Sequence, residues 1–400
     1  MIEAHRAALE AAAAAPMLAQ VEAWCAINSG SRNLSGLATM ASLLADAFSN
    51  LPGETRLLDA EPGEEISASG AARGTSFGQN LHVRVRPDAP VQILLTGHMD
   101  TVYAIDHPFQ ALTAQQDGAI LNGPGVADMK GGIALMLAAL GGVERSPLRD
   151  RIGYEVVINS DEEIGSPGSA SLLAASARGK LAALTYEPSA LPDGTLAGAR
   201  PGSGNFSILI HGRAAHAGRN PEEGRNAIVA AGDLALRLSR ARRAGLSINP
   251  ARIDGGGPNN IVPDLAILRV NLRPALPADK IAAEAMLRDL IAAVEAEHGV
   301  AVELHGGFGR PPKPLDPKAE KLFALVEASA AELGQFITHK ATGGVCDGNN
   351  IAACGVPVVD TMGARGGAIH SAEEYLIVES LAERAQLSTL VMLRLAEQRL

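Results

Sequence analysis

Cysteine is scarce in this 400-residue chain, which has only Cys25, Cys346 and Cys354, widely spaced. Three such thiols form neither a disulfide framework nor a thiolate zinc site, and they point to reduced cysteines and a cytoplasmic setting. Aromatic residues make up 3% of the chain, with a single Trp, which argues against recognition by stacking on exposed bases. The net charge is -10, but no long run of one sign occurs. That argues against a nucleic-acid footprint and against a polybasic membrane patch. No apolar stretch reads as long and charge-free enough to span a bilayer. The Ala-rich start, MIEAHRAALEAAAAAPMLAQVEAWCAI, carries early acidic residues and no basic leader, and Pro16 interrupts it. It reads as an amphipathic helix of the mature chain, not as a signal peptide.

What is present is a 47% hydrophobic fraction over a length that allows two domains. Strand patterns at Leu81–Arg86, Gln92–Thr96, Tyr154–Ile158 and Leu181–Tyr186 alternate with helix patterns at Met129–Val143 and Ser169–Ala177. The alternation predicts an α/β domain with a mixed sheet and helices on both faces. A Gly/Pro-rich linker, LPDGTLAGARPGSG, changes the pattern near residue 192. Strand Asn205–His211, helix Ala227–Arg242, strands Leu246–Ile253 and Leu265–Leu272, helix Ala278–His298 and strand Val300–Leu304 follow. This β-α-β-β-α-β order is the ferredoxin-like split motif. GGFGRPPKPLDP reads as the return linker. The expected organisation is a discontinuous catalytic domain, 1–192 and 309–400, with an α+β domain, 193–308, inserted in it.

Five stretches place His, Asp or Glu at strand ends or in the loops after them: GHMDTVY (97–103), GPGVADMKGG (123–132), SDEEIG (160–165), TYEPS (185–189) and AIHS (368–371). Sheets of this kind gather ligand-contacting residues just beyond the carboxyl ends of their strands. Imidazole and carboxylate without thiolate suit zinc or a neighbouring divalent ion. Two His with three or four carboxylates exceed one tetrahedral ion and fit a two-metal site with a bridging carboxylate. Taken singly, each residue has a plainer role. His98 suits a backbone-satisfied core position, Asp100 a turn cap, and Asp128 the N-cap of the helix that follows. Glu187 before a proline and His370 in a Gly-rich loop suit the surface.

HMDTVY, GPGVADMKGG, DEEIGSPGS, YEPS, AAHAG and IHSAEEY together resemble the motifs of the zinc aminoacylase/carboxypeptidase family, whose members include glutamate carboxypeptidases, desuccinylases and deacetylases. The likeness runs over nearly the whole chain, and the first two motifs most resemble the glutamate carboxypeptidase branch.

The resemblance implies two zinc ions per chain, with cobalt or manganese as substitutes. His98 and Glu187 would hold one ion, Glu163 and His370 the other, and Asp128 would bridge them. Asp100 would orient His98. Glu162 would be the general base, adjacent strand residues such as Glu162 and Glu163 projecting to opposite sides. The resemblance further implies that the inserted domain acts as a lid and joins a homodimer. His216 would reach the partner's active site to stabilise an oxyanion, Asn260 would hold substrate, and Arg273 and Arg310 would clamp a substrate carboxylate. In GGVCDGN (343–349), Cys346 stands where close relatives tend to carry a hydroxyl, and Gly348–Asn349 replaces small apolar residues, so the side-chain pocket departs from the family pattern. The implied reaction is hydrolysis of an amide next to a free carboxylate in an N-acyl amino acid or short peptide. N-acyl-amino-acid deacylation is the alternative, and a non-catalytic peptide-binding relative the remote one.

Overall fold

The computed structural model describes residues 5–398. Its larger sheet has six strands in the order Glu54–Leu58, Asn80–Val85, Ile152–Asn159, Val91–His98, Ala182–Thr185 and Val358–Val359. The first two pairings are antiparallel and the remaining three parallel, so the sheet is mixed. Successive side chains of a strand face opposite sides. Ile93 and Leu95 accordingly join one core cluster while Leu94 joins another. Helices cover both faces: Gly131–Glu144 and Glu379–Glu397 on the first, Ala170–Ala177 and Asp347–Ala353 on the second. Full burial of one such aliphatic side chain stabilises by about 1.5–3 kcal/mol.

The expected elements form with small shifts at their ends. The start of the chain is not one helix: Pro16 separates Arg6–Ala13 from Met17–Cys25. Val126–Glu144 is long and apolar enough to cross a bilayer, but 89% of it is buried inside the protein. Helix Gly131–Glu144 is apolar all round because it packs against the sheet, the N-terminal helices and the C-terminal helix at once.

The second sheet pairs Leu246–Gly255, Leu265–Pro274, Ser203–His211 and Ala301–Arg310 in that order, all antiparallel. With helices Ala227–Arg240 and Pro277–His298 this is the ferredoxin-like arrangement, and its own core gathers Ile208, Leu234, Leu268 and Leu287. Its edges differ from the expected linkers. Leu196–Ala197 pairs with His339–Lys340, outside this sheet, whereas GGFGR extends the last strand to Arg310. Glycines spaced along that segment read as a loop, yet only Gly306 has a positive φ, at 96° where Ala301–Arg310 pairs with Ser203–His211. The hairpin Gly63–Ile66/Ala72–Thr75 reaches across to the inserted unit, where Arg269 donates to the Ile66 carbonyl oxygen.

Candidate metal centre

The three parallel strands Val91–His98, Ile152–Asn159 and Ala182–Thr185 end at one edge of the large sheet, with His98 beside Asn159 and Thr96 beside Thr185. Their carboxyl ends therefore deliver His98, the 160–163 turn and Glu187 to one place. His98 Nε2 lies 3.1 Å from Asp128 Oδ1 and 3.7 Å from Glu187 Oε2. His370 Nε2 lies 3.2 Å from Asp128 Oδ2 and 3.3 Å from Glu163 Oε2. Two triads thus form, His98–Asp128–Glu187 and Asp128–Glu163–His370, with donor atoms inside each within 4.8 Å of one another. Asp128 belongs to both and turns one oxygen to each.

Asp128 does not cap a helix. It sits in an irregular turn, Val126–Lys130, with φ -115° and ψ 89°, ahead of helix Gly131–Glu144. The paired glutamates also differ from expectation, because the strand stops at Asn159 and Glu162–Ile164 is a single 3-10 turn. The turn still sends the two side chains apart: Glu163 to His370, Glu162 to Arg310 at 2.7 Å. Asp100, fully buried, holds that turn. Its Oδ1 accepts from the Glu162 N–H at 3.1 Å and its Oδ2 from the Glu163 N–H at 3.2 Å and the Ser31 hydroxyl at 2.7 Å. His98 Nδ1 lies 2.9 Å from the Asp100 carbonyl oxygen and 3.4 Å from Asp100 Oδ1, which directs Nε2 towards the cluster.

Four carboxylates against two imidazoles leave the cluster short of positive charge. Burial raises Glu162 to about 8, even though Arg310 opposes the rise, and Glu187 to about 8 against the pull of His98. Burial and the neighbouring Asp128 raise Glu163 to about 7. Hydrogen bonds to Asp128 and Glu163 push His370 up to about 11. Burial disfavours charge on His98, but Glu187, Asp100 and Asp128 outweigh it and raise its pKa well above the usual value. Asp128 is lowered because both imidazoles outweigh its burial. A nitrogen-and-oxygen donor set with excess negative charge fits two divalent cations.

Comparison with known proteins agrees. The sequence model of peptidase family M20/M25/M40 matches residues 94–394. The chain belongs to that family. It is a metal-dependent hydrolase. Carboxypeptidase G2 of Pseudomonas sp. (strain RS-16) is 30% identical over 380 residues, covering 92% of this chain and 86% of that protein. A putative succinyl-diaminopimelate desuccinylase of Mycobacterium tuberculosis is 28% identical over 344 residues, covering 79% and 88%. Among solved structures, a tripeptidase from Staphylococcus aureus superposes with a TM-score of 0.72 at 24% identity, covering 96% of this chain and 98% of that one. An M20 metallo-carboxypeptidase from Sulfolobus solfataricus gives 0.70 at 13% identity, covering 94% and 98%. These structures share the fold of this peptidase.

A cleft of ≈ 1240 Å³ opens over the cluster, between the large sheet and the inserted unit. Arg273 lines it, donating to Asn271 Oδ1 and the Gly343 carbonyl oxygen and, among the described residues, to no carboxylate. Arg310 also borders it but is held by Asp347, Asn350, Ser166 and Glu162. His216 and Asn260 lie elsewhere, exposed on the inserted unit, where the Ala217 N–H donates to the Asn260 carbonyl oxygen. Neither lines the cleft of its own chain. Cys346 does, as a buried free thiol whose pKa burial raises well above its usual value.

Three residues around the centre, Arg200 on the cleft and the buried Asp347 and Glu374, are not marked as functional by the sequence. Arg200 makes a buried double hydrogen bond to Asp360, Asp347 pairs with Arg310, and Glu374 holds the Asp128 turn. The last two lie in the GGVCDGN and IHSAEEY motifs, whose acids have no role in the sequence pattern alone.

Proposed function

We propose that this peptidase hydrolyses an amide bond next to a free carboxylate, as a glutamate-type carboxypeptidase carrying two zinc ions. The observation that supports this most is the sharing of Asp128 by two ligand triads beside Glu162. In this reading His98 and Glu187 hold one ion, Glu163 and His370 the other, and Asp128 both. Two divalent ions held by these residues would supply Lewis-acid polarisation of a scissile carbonyl and a water whose pKa is lowered to about 7. Glu162 would take a proton from the attacking water and deliver it to the leaving amine. Asp100 keeps both the Glu162–Glu163 turn and the His98 ring in place.

Arg273 is assigned to the substrate carboxylate, because it is a cleft arginine with no carboxylate partner among the described residues. We assign 203–310 to a lid that also joins two chains. Its edge strand Leu246–Gly255 is unpaired on one side, and Val229 and Leu236 are exposed on its helix Ala227–Arg240. His216 and Asn260, being outside their own cleft, are assigned to the partner's. The three free cysteines fit the reducing cytoplasm. Relatives that are desuccinylases favour deacylation of N-acyl amino acids as the second reading.

The test is a substrate panel on zinc-loaded protein. N-acyl-glutamates and folate-like glutamates should be cleaved; activity confined to N-acetyl or N-succinyl amino acids replaces the first reading with the second.

A further inference from the structure

Glu374 lies four residues past His370, is fully buried, and belongs to neither ligand triad. Its carboxylate is saturated by four donors. Oε1 accepts from the N–H groups of Ala127 and Asp128, each at 3.0 Å. Oε2 accepts from the Gly125 N–H at 3.2 Å and the Tyr103 hydroxyl at 2.7 Å. The Glu374 carbonyl oxygen accepts from the Gly123 N–H and from Asn122 Nδ2. Tyr103 also lies 2.8 Å from the Ser371 carbonyl oxygen, next to His370.

The 123–128 turn needs such a partner. Non-helical dihedrals at Asp128 and Met129 keep it out of the helix that follows, so among the described residues the N–H groups of Gly125, Ala127 and Asp128 find the Glu374 carboxylate in place of carbonyl partners. On the far side, Lys130 anchors the turn by donating to the carbonyl oxygens of Trp24 and Ile27. Glu374 ties the backbone of the segment bearing Asp128 to the segment bearing His370. Through Tyr103 it also reaches the 97–103 segment bearing His98 and Asp100.

We propose that Glu374, steadied by Tyr103, is the positioning residue that keeps Asp128 aimed at both triads, and so sets the affinity of the two-ion site. This rests on the two-metal reading above. A buried carboxylate is costly to desolvate, and an apolar side chain would fill the same space without that cost. What an apolar side chain lacks is acceptors for the three N–H groups, and the Asp128 backbone follows from those hydrogen bonds. Outer partners of metal ligands typically contribute about 10–100-fold to metal affinity.

The experiment is a chelator-competition titration with zinc alone, on folded wild-type protein and Glu374→Gln, with cobalt absorption spectra as a second readout. An amide at this position sets an NH2 group against N–H donors. Glu374→Gln should therefore bind zinc about 10–100-fold more weakly and shift the cobalt bands. Glu144→Gln is the control, a carboxylate bound to Arg86 and Tyr154 instead, and it should leave both readouts unchanged. If Glu374→Gln does not fold, Tyr103→Phe carries the test, with a smaller loss in the same direction. Wild-type protein that takes up two zinc ions while the variant matches its affinity and spectrum overturns the clamp alone. Wild-type protein that takes up no zinc overturns the two-metal reading and the clamp with it.

Discussion

Arg310 donates to Oε1 of Glu162 at 2.7 Å and to its carbonyl oxygen at 3.2 Å, so one guanidinium holds both the side chain and the backbone of the proposed base. The same guanidinium is bound by Asp347, whose other oxygen accepts from Asn159 at the end of the central strand. Glu162 is thereby referenced to the sheet that presents His98. Asp100 completes the link from the opposite side through the Glu162 N–H.

Glu162→Gln keeps the shape of the side chain and removes its capacity to carry a proton. Turnover should fall by about 10²–10⁴-fold. Zinc content, measured by elemental analysis, should stay at the wild-type value, and turnover close to wild type would remove Glu162 from the reaction.

Arg310→Ala leaves Asp347 buried without its cation. The cost to stability should be about 3–5 kcal/mol, read from urea unfolding. In kinetics kcat should fall more than KM rises, because Arg310 is engaged with Glu162 and Asp347; a rise in KM alone would mark it as the substrate clamp that the motif implies.

Asp128→Asn and His370→Ala should separate the two ions. Asp128 serves both triads, so its variant should lose both zinc ions on dialysis, whereas His370→Ala should retain about one. Equal stoichiometry in the two variants would contradict the bridging role.

The pH dependence has a definite sign. Glu162, Glu163 and Glu187 titrate near 8, 7 and 8 in the folded chain against the usual 4.5. The folded chain therefore keeps protons that the unfolded chain has released. Their contribution to the stability of the metal-free protein is fully present below 4.5 and is lost as pH rises to about 8. Zinc displaces protons from its ligands Glu163, Glu187 and His370, so its affinity should climb as pH rises through about 7 and about 8 and keep climbing above that. Thermal unfolding with and without chelator across that range checks both slopes.

Local pattern carried much of the fold into view. Strands such as Tyr154–Ile158 are near-continuous apolar runs, because both faces of the sheet are covered. The helices of the inserted unit were legible to within a few residues for a similar reason, since each shows one stripe to one sheet. Glycine punctuation misled at GGFGR, because hydrogen bonds to Ser203–His211 hold that segment extended whatever its propensity. The paired glutamates read as neighbours on a strand, but tertiary contacts with Asp100 wind them into a turn.

The sequence by itself determined the chemistry: which donors exist, that thiolate is absent from the set, and which motifs carry His98, Asp128, Glu162, Glu163, Glu187 and His370. Tertiary structure alone decided who faces whom. Parallel strands bring residues 98, 159 and 185 to one edge, and a turn held by Glu374 gives each triad one oxygen of Asp128. It also decided that Arg310 binds Glu162 and Asp347. The physical reason is range. Residue type and spacing are local properties, while the partner of a buried charge is chosen by whichever distant segment the folded sheet places within a hydrogen bond of it.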